Sequence, residues 1–485
     1  TRKEVLFMKT YKLFLGGDWK EGREKQGVIN PFNGDLVAET HIASAEDVSR
    51  AVDSASKSQK GWQDLDQPQK AEYLRRIAEG IGDRDEELAR LETRECGRPL
   101  HETRSDIEAV AATLHYYAGL ADKIEGRTIP VEGKRFSFTL REPLGVTAHI
   151  TPWNFPLKLA IRSLAPSLIA GNTVVLKPPI ESPLTCLEFA RETMKAGLPS
   201  GVVNVIPGPG SKTGEALVSH ENIDGIGFIG SLEVGKKIAE EAGNKMIPSV
   251  MELGGKSPQI VFPDADIPKT AEGVIGGIFR ASGQSCNAGS RLFVHKDIYR
   301  EFLEELTRRT EKMVLGNGLN DETDMGPLIN EQQLDSVKNL VDRGIENGAE
   351  VLAGGKIARG DTLNKGCFYR PTLLTNVEKG SKLDQEEIFG PVLVIHQFSS
   401  KEEVIEEANN VKYGLYGGIW TNDLSLAHEV ARRIKAGGIS VNEYPSVFPQ
   451  LPFGGVKKSG VGREQGMEAI ENFLQTKSVT IKLEE

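Results

Sequence analysis

The feature that most limits how this chain can fold is a series of four strand–turn–helix units between residues 145 and 243. "GVTAHITPWNFP" leads into "LKLAIRSLAPSLIAG", and "NTVVLKPPIESP" leads into "LTCLEFARETMKAG". "GVVNVIPGPGS" and "IDGIGFIGS" lead in turn into "KTGEALVSH" and "LEVGKKIAEEAG". Each unit is a short β-rich run, a Gly/Pro/Asn turn and a segment of helical periodicity. Strands joined through helices run parallel, and right-handed crossovers cover both faces of their sheet. The fold class is therefore α/β with a doubly wound parallel sheet. The turns that follow the strands fall at its carboxyl edge, where ligands bind in this class.

A second α/β pattern starts near residue 255. "SPQIVFPDAD", "SRLFVHKDIY", "CFYRPTLLTNV", "FGPVLVIHQF" and "GLYGGIWT" read as strands, and "IYREFLEELTRRTEKMV" and "EQQLDSVKNLVDRGIENG" as helices. Residues 45–126 read as helical, with residues 45–62 and 68–96 as two strongly periodic segments. A chain of 485 residues is too long for one ordinary core. Two stretches stand apart, "KRFSFTLREPLG" (134–145) and "TKSVTIKLEE" (476–485). Both alternate apolar and polar residues. Such strands either lend an edge to a partner subunit or are ordinary edge strands.

Charge and cysteine usage exclude several functions. The net charge is −10, with both signs mixed, which argues against a nucleic-acid or anionic-membrane surface. No apolar run approaches the roughly 20 residues that span a bilayer. The N-terminal segment lacks the apolar stretch of a secretion signal, so a cytoplasmic location and a natural start at Met8 are expected. Cys96, Cys186, Cys286 and Cys367 are scattered without a C-x-x-C pair. The eight histidines form no H-E-x-x-H, so no metal site is expected.

The phosphate-binding signal is indirect. No G-x-G-x-x-G follows the first strand. "PGPGSKTG" (207–214) and "GFIGSLEVG" (227–235) each lie between a strand and a helix. Gly230 allows a tight turn, and Ser231 is placed to cap the next helix, whose N–H groups would face an anion. Lys177 closes the apolar strand "NTVVL", within reach of a ribose or a phosphate. Each element read singly is equally well a surface lysine or a capped helix; four strand ends side by side favour a nucleotide site.

Three polar residues suit covalent acyl chemistry. Asn154, in "TPWNFP", is held on a turn by two prolines and two aromatics, as an oxyanion donor must be. Glu252, in "VMELGGKSP", ends an apolar strand, so desolvation should raise its pKa toward that of a useful base. Cys286, in "ASGQSCNAGSR", follows a glycine turn expected to open a helix, whose N-terminus would lower the thiol pKa. An asparagine in a turn, a capping glutamate and an inert cysteine are the plain alternatives. Together the three supply an amide donor, a base and a nucleophile.

The chain resembles the NAD(P)-dependent aldehyde dehydrogenase superfamily, of the non-acylating, hydrolytic type. The likeness is carried in order by "TPWNFP", "VVLKP", "GFIGS", "MELGGKSP", "GQSC", "QEEIFGPV" and "NEYPSVFPQLPFGG". It runs from "LFLGGDW" to "PFGGVKKSGVGREQG". The resemblance implies two doubly wound parallel-sheet domains plus a small β oligomerisation flap. It assigns residues 1–124 and 145–254 to dinucleotide binding, 255–458 to the catalytic domain, and 125–144 with 472–485 to oligomerisation strands. A homodimer or homotetramer is implied. So is a small-molecule aldehyde as substrate, with no nucleic-acid or membrane partner. Cys286 is then the nucleophile, Glu252 the base that activates water, and Asn154 the oxyanion donor together with the Cys286 main-chain N–H. NAD or NADP would be held by Thr151, Pro152, Trp153, Lys177, Gly210, Gly214, Phe228, Gly230, Ser231, Val234, Leu253, Glu387 and Phe389. Rival readings are a CoA-acylating relative, which does not need Glu252, and a non-catalytic structural homologue.

Two positions depart from the family pattern. Ile180 stands where an acid usually accepts from the ribose 2′-OH, which predicts tolerance of NADP; neighbouring Glu181 is the alternative acid. Ile229 in "GFIGS" replaces a usual threonine. The aldehyde tunnel is expected to include Phe155, Arg162, Arg280 and Phe453. The two arginines resemble those of members that take succinic semialdehyde, and a carboxylated semialdehyde is one expected substrate. The alternatives are a broader aliphatic or aromatic aldehyde and, for Arg162, an ordinary ion pair with a neighbouring acid.

Overall fold

The four units and the strand after them build one parallel sheet. In the computed structural model, which describes residues 9–360 and 362–484, its strand order is Gly460–Val461, Ser249–Glu252, Gly225–Ile229, Val146–Ile150, Thr173–Lys177, Val203–Val205, Leu13–Leu15 and Asp18–Lys20. The five strands from Ser249–Glu252 to Val203–Val205 are parallel. Chain order reverses between Val146–Ile150 and Gly225–Ile229, which leaves a crevice at their carboxyl ends. These strands are apolar on both faces and buried on both, as a covered parallel sheet requires. The expected start at Met8 lies outside the described residues.

Helices α1 (Ala45–Gln63), α2 (Gln67–Gly82), α3 (Asp85–Cys96) and α4 (Leu100–Gly119) form the helical lead. The segment 68–96, expected as one helix, is broken at Asp83–Arg84. There the Arg84 guanidinium turns inward to Glu188 at 2.9 Å and Glu192 at 2.6 Å. The sheet's own helices are α5 (Pro156–Ala170), α6 (Leu184–Lys195), α7 (Glu215–Val218) and α8 (Leu232–Asn244). Helix α5 is apolar nearly all round and buried along almost its whole length, so it is a core element. Its charged residues, Lys158 and Arg162, depart from that pattern. An additional three-stranded sheet, Thr10–Tyr11, Leu36–Ile42 and Glu24–Ile29, was not anticipated from the sequence pattern.

The second sheet is ordered Glu350–Ala353, Thr372–Thr375, Val392–Phe398, Arg291–His295, Pro258–Val261, Tyr416–Trp420 and Gly438–Val441. All its pairs are parallel except the first. Helix α9 (Ile267–Phe279) leads from one of its strands toward Cys286. The chain passes from Glu252, at the carboxyl end of a first-sheet strand, to Pro258, at the amino end of a second-sheet strand. The edges of the two sheets that meet there frame the site. The two alternating stretches pair with each other, Arg135–Pro143 against Leu474–Lys482, antiparallel over nine residue pairs. Phe136, Leu140 and Ile481 on this ribbon are exposed. Among the described residues no helix is long and apolar enough to cross a membrane.

Candidate active site

Cys286 sits in a loop between α9 and the strand Arg291–His295, at the amino edge of the second sheet. Three successive residues before it are left-handed: Ala281 at φ 50°, Ser282 at φ 56° and Gly283 at φ 72°. For the two non-glycine residues this conformation costs on the order of 1 kcal/mol each and persists only when neighbours hold it. Ser282 Oγ donates to the Gly326 carbonyl at 2.8 Å, and the Gln284 side chain accepts from Ile329 N–H at 2.9 Å. A Cβ on Gly283 would lie 2.0 Å from the Gly390 carbonyl oxygen, and one on Gly255 would lie 2.4 Å from that of Cys286. The glycines around the cysteine are thus required by the close packing of main chains.

The helix expected to start at this turn is absent. After Cys286 the chain continues as loop into a strand, so no helix N-terminus stabilises a thiolate. Burial instead pushes the Cys286 thiol up to about 12, with only Arg162 pulling it down and Glu387, Glu252 and Glu464 adding to the rise. The expected lowered pKa is therefore corrected: at neutral pH the thiol is protonated and its proton must be taken by a base.

Asn154 is buried on the turn between Val146–Ile150 and α5. Its Nδ2 donates to the Gln284 carbonyl at 2.8 Å, two residues before Cys286. One amide hydrogen is thereby used, and the planar amide fixes the direction of the other. Asn154 Oδ1 has no partner among the described residues. Phe155, next along, packs with Leu159, Ile229 and Ala281 in a small apolar cluster. That packing accounts for Ile229, since a threonine hydroxyl there would face only apolar groups. The Phe155 ring also lies under the Arg98 guanidinium at 4.2 Å.

Glu252 is 3% exposed, and neither carboxylate oxygen has a hydrogen-bond partner among the described residues. Burial pushes its pKa well up, the nearby Glu464 adds to the rise, and Arg162 and Arg463 oppose it. Arg162 is itself buried and paired with Glu464 at 2.7 Å, and its guanidinium stacks on Phe453 at 4.3 Å. Arg280 lies elsewhere, paired with Asp106 at 3.2 Å in a separate buried charge cluster. The structure thus gives the two expected substrate arginines two different acids and does not bring them together. Glu464 was missed in the sequence. Its only signal was indirect: a buried Arg162 requires an acid, and "GREQG" supplies one.

The remaining candidates converge on the crevice of the first sheet. Thr151, Pro152 and Trp153 follow one strand of the switch point; Gly230 and Ser231 follow the other. Trp153 meets Phe389 edge to face at 5.3 Å. Burial lowers Lys177 to about 8; Glu181, close enough to act on it, pulls the other way. Gly214 is against the Lys177 side chain, and nothing lies within 4 Å of a Cβ built on Gly210. Ser231 caps α8 by accepting from the Val234 N–H at 3.4 Å. Phe228 lies beneath Gly230, and Leu253 packs on Gly235 of α8. Half-buried Glu387, raised to about 7 by desolvation, accepts from the Gly255 N–H at 3.1 Å. Thr151 Oγ1 is buried with no partner among the described residues, an orphan that a bound ligand can satisfy. The described residues contain no group of three or more His, Cys, Asp or Glu able to hold a metal ion.

The profile described as "Aldehyde dehydrogenase family" matches residues 19–479. A betaine aldehyde dehydrogenase of Bacillus subtilis is 41% identical over 473 residues, covering 96% of each chain. A hydroxyisobutyraldehyde dehydrogenase of Mycolicibacterium austroafricanum is 40% identical, covering 97% of this chain and 94% of that one. An NAD+ complex of an aldehyde dehydrogenase from Bacillus cereus superposes with a TM-score of 0.96 at 38% identity, covering 98% of this chain and 97% of that one.

Proposed function

The chain belongs to the aldehyde dehydrogenase family and oxidises an aldehyde, and on that premise we propose that Cys286, Glu252 and Asn154 turn it into the carboxylic acid with NAD(P)+ as coenzyme. The observation that carries this reading is the meeting of the three. Asn154 Nδ2 is bonded to the loop of Cys286 at 2.8 Å, Gly255, three residues after Glu252, lies against the Cys286 carbonyl, and the charge of Glu252 is close enough to act on the Cys286 thiol.

The Cys286 sulfur adds to the aldehyde carbon once its proton has passed to a base, and Glu252 is the carboxylate whose raised pKa suits that transfer. The carbonyl oxygen becomes an alkoxide, met by the free Asn154 amide hydrogen and the Cys286 N–H. Bound NAD(P)+ supplies the hydride acceptor. The carbon is left as a Cys286 thioester. Glu252, having released that first proton to solvent, takes a proton from water, whose oxygen attacks the thioester; the C–S bond breaks, the acid leaves, and the proton on Glu252 returns to the sulfur. A buried glutamate with no fixed partner supports hydrolysis over transfer to CoA. Thr151, Lys177, Ser231 and Glu387 are the polar groups suited to the coenzyme, and Gly210, Gly214 and Gly230 leave its path open. The test is reduced coenzyme formation with an aldehyde panel: oxidation with no acyl-CoA formed when CoA is added is expected, and acyl-CoA as the main product would overturn hydrolysis.

For the substrate we assign a small aldehyde without a carboxylate. Arg162 already neutralises Glu464, and Arg280 already meets Asp106. A substrate carboxylate would have to displace a buried acid from Arg162 and leave that acid unpaired. The semialdehyde reading keeps one point in its favour, the Arg162 Nε, which is buried without a partner among the described residues. Succinic semialdehyde is expected to gain no more than about tenfold in kcat/KM over butyraldehyde, one tenfold being about 1.4 kcal/mol. An advantage of about 100-fold that disappears in Arg162→Met would restore the charged substrate.

For the coenzyme, half-buried Ile180 offers no carboxylate against a 2′-phosphate. Glu181 is the carboxylate close enough to act on Lys177. The ratio of kcat/KM for NAD+ over NADP+ is expected within about tenfold, since one missing charge repulsion near the surface is worth on the order of 1 kcal/mol. A ratio above about 100 would count against it. Residues 1–124 with 145–254, and 255–458, follow the two sheets closely enough to support the division into a coenzyme and a catalytic domain. The exposed apolar residues of the Arg135–Pro143 and Leu474–Lys482 ribbon support its use between copies in a homodimer or homotetramer.

A further inference from the structure

We propose that Arg98 and Glu102 are a positioning pair that sets the spacing of the two oxyanion donors, Asn154 and the Cys286 main chain, from a third segment of the chain. The proposal rests on the oxyanion reading above. The two donors belong to different halves of the molecule: Asn154 precedes α5 in the first sheet's layer, and Cys286 follows α9 in the second's. Their spacing must hold to well under an ångström for both to reach one alkoxide.

The α3–α4 corner touches both turns. Helix α3 ends at Cys96 with Gly97 as its left-handed C-cap at φ 78°, and Pro99 is the N-cap of α4, so Arg98 is the middle residue of a three-residue bend between the helices. Arg98 is 1% exposed and Glu102 5%. The Arg98 guanidinium donates to Glu102 Oε2 through Nε at 3.3 Å and Nη2 at 3.1 Å. It also donates to Glu92 at 3.4 Å and pairs with Asp106. Its Nη1 reaches the Asn154 carbonyl at 3.4 Å, and its plane covers Phe155. Glu102 faces the other way as well: its two oxygens accept from the Ala281 N–H at 3.2 and 3.1 Å. Ala281 is the first of the left-handed residues that carry the chain to Cys286. One guanidinium–carboxylate fork therefore bears on the main chain of both turns.

The rest of the cluster extends the same contact. Asp106 accepts from Lys158 on α5 at 2.8 Å and from Arg280 before Ala281 at 3.2 Å. Buried ions are costly unless every member is paired with good geometry, and a hydrophobic core would join these helices at least as well. What the ions add is direction. A fork with fixed donors permits one relative placement of α4 and the two turns, where apolar side chains would tolerate sliding. Neither residue touches the reacting atoms, so both act through Asn154 and Cys286.

The test separates reach from charge. Glu102→Asp keeps the charge on Arg98 but withdraws from the Ala281 N–H; Glu102→Gln keeps the reach and loses the charge. Glu102→Asp is expected to lower kcat/KM for propionaldehyde by about 50-fold, and Glu102→Gln by about fivefold, as expected for a small misplacement of catalytic groups. Alkylation of Cys286 by iodoacetamide forms no oxyanion, and its rate should stay within about threefold of the parent in both variants. In an Asn154→Ala background the Glu102→Asp penalty should shrink below about threefold, since both changes spoil one feature. Wild-type oxidation by Glu102→Asp, parallel loss of oxidation and alkylation, or an undiminished penalty in the Asn154→Ala background would each overturn the proposal. Should Asn154→Ala alone oxidise propionaldehyde at the parent rate, the oxyanion reading falls, and this inference with it; a large Asn154→Ala loss with an inert Glu102→Asp removes this inference alone.

Discussion

Cys286→Ser is expected to lose aldehyde oxidation by on the order of 10⁴-fold or more, with the fold intact. The substitution exchanges one small half-buried side chain for another, so packing against the Leu415, Tyr416 and Phe453 cluster is kept. What is lost is a sulfur nucleophile able to form a thioester. The other cysteines do not replace it. Burial pushes the Cys96 and Cys186 thiols well up and Cys367 to about 11, and none lies beside Glu252. A second outcome follows from the raised Cys286 pKa of about 12. Burial disfavours the thiolate, so below that value the thiolate fraction rises about tenfold per pH unit. Iodoacetamide alkylation of Cys286 in the coenzyme-free protein, followed by peptide mapping, should therefore climb steadily from pH 7 to about 10. A plateau below about pH 9 would show that another group stabilises the thiolate and that the burial account is wrong.

Most of the framework was legible because it is periodic. Consecutive βα units leave a parallel sheet little choice, and the alternating runs at 134–145 and 476–485 read as edge strands, which the fold pairs with each other. Asn154, Glu252 and Cys286 stand out in the sequence as polar residues at strand ends and glycine turns, and the fold brings the Asn154 amide to the Cys286 loop. What periodicity could not supply was pairing between distant segments. An ion pair was one reading of Arg162, but no local pattern names its partner, Glu464, which lies about 300 residues on in sequence. Arg98 lies in a bend with no period at all, yet it reaches Asn154. The helix expected after Gly283 failed for a related reason. The glycine and serine run resembles a helix entry, but the turn is held left-handed by contacts to Glu102 and Gly326, which are remote in sequence. Local signals report the main chain's preference; buried ionic contacts report where tertiary structure overrides it.

Glu252→Gln is expected to separate the two halves of the reaction. The glutamine is nearly isosteric but cannot take a proton from water, so thioester hydrolysis should slow by about 10²–10⁴-fold, the usual contribution of a general base. If another group removes the Cys286 proton at sufficient pH, one equivalent of reduced coenzyme per site forms in a burst at alkaline pH and turnover then stalls. Mass spectrometry should find the acyl group on the Cys286 peptide. A variant that turns over at the parent rate would remove Glu252 from the mechanism. The pH dependence gives an independent check. Burial, and then the charge of Glu464, hold the Glu252 proton on, so its basic form grows as pH rises. Turnover limited by hydrolysis should rise with pH in the parent, and Glu252→Gln should lose that rise. The neighbours shift the profile in opposite directions. Glu464→Gln removes a like charge and should move it to lower pH, whereas Arg162→Met removes the opposing cation and should move it higher. Opposite displacements by the two partners of one ion pair are hard to obtain from a packing defect, because breaking the pair from either side would disturb the same contact. Observing both shifts in these directions would identify Glu252 as the titrating base and the Arg162–Glu464 pair as the setting of its pKa.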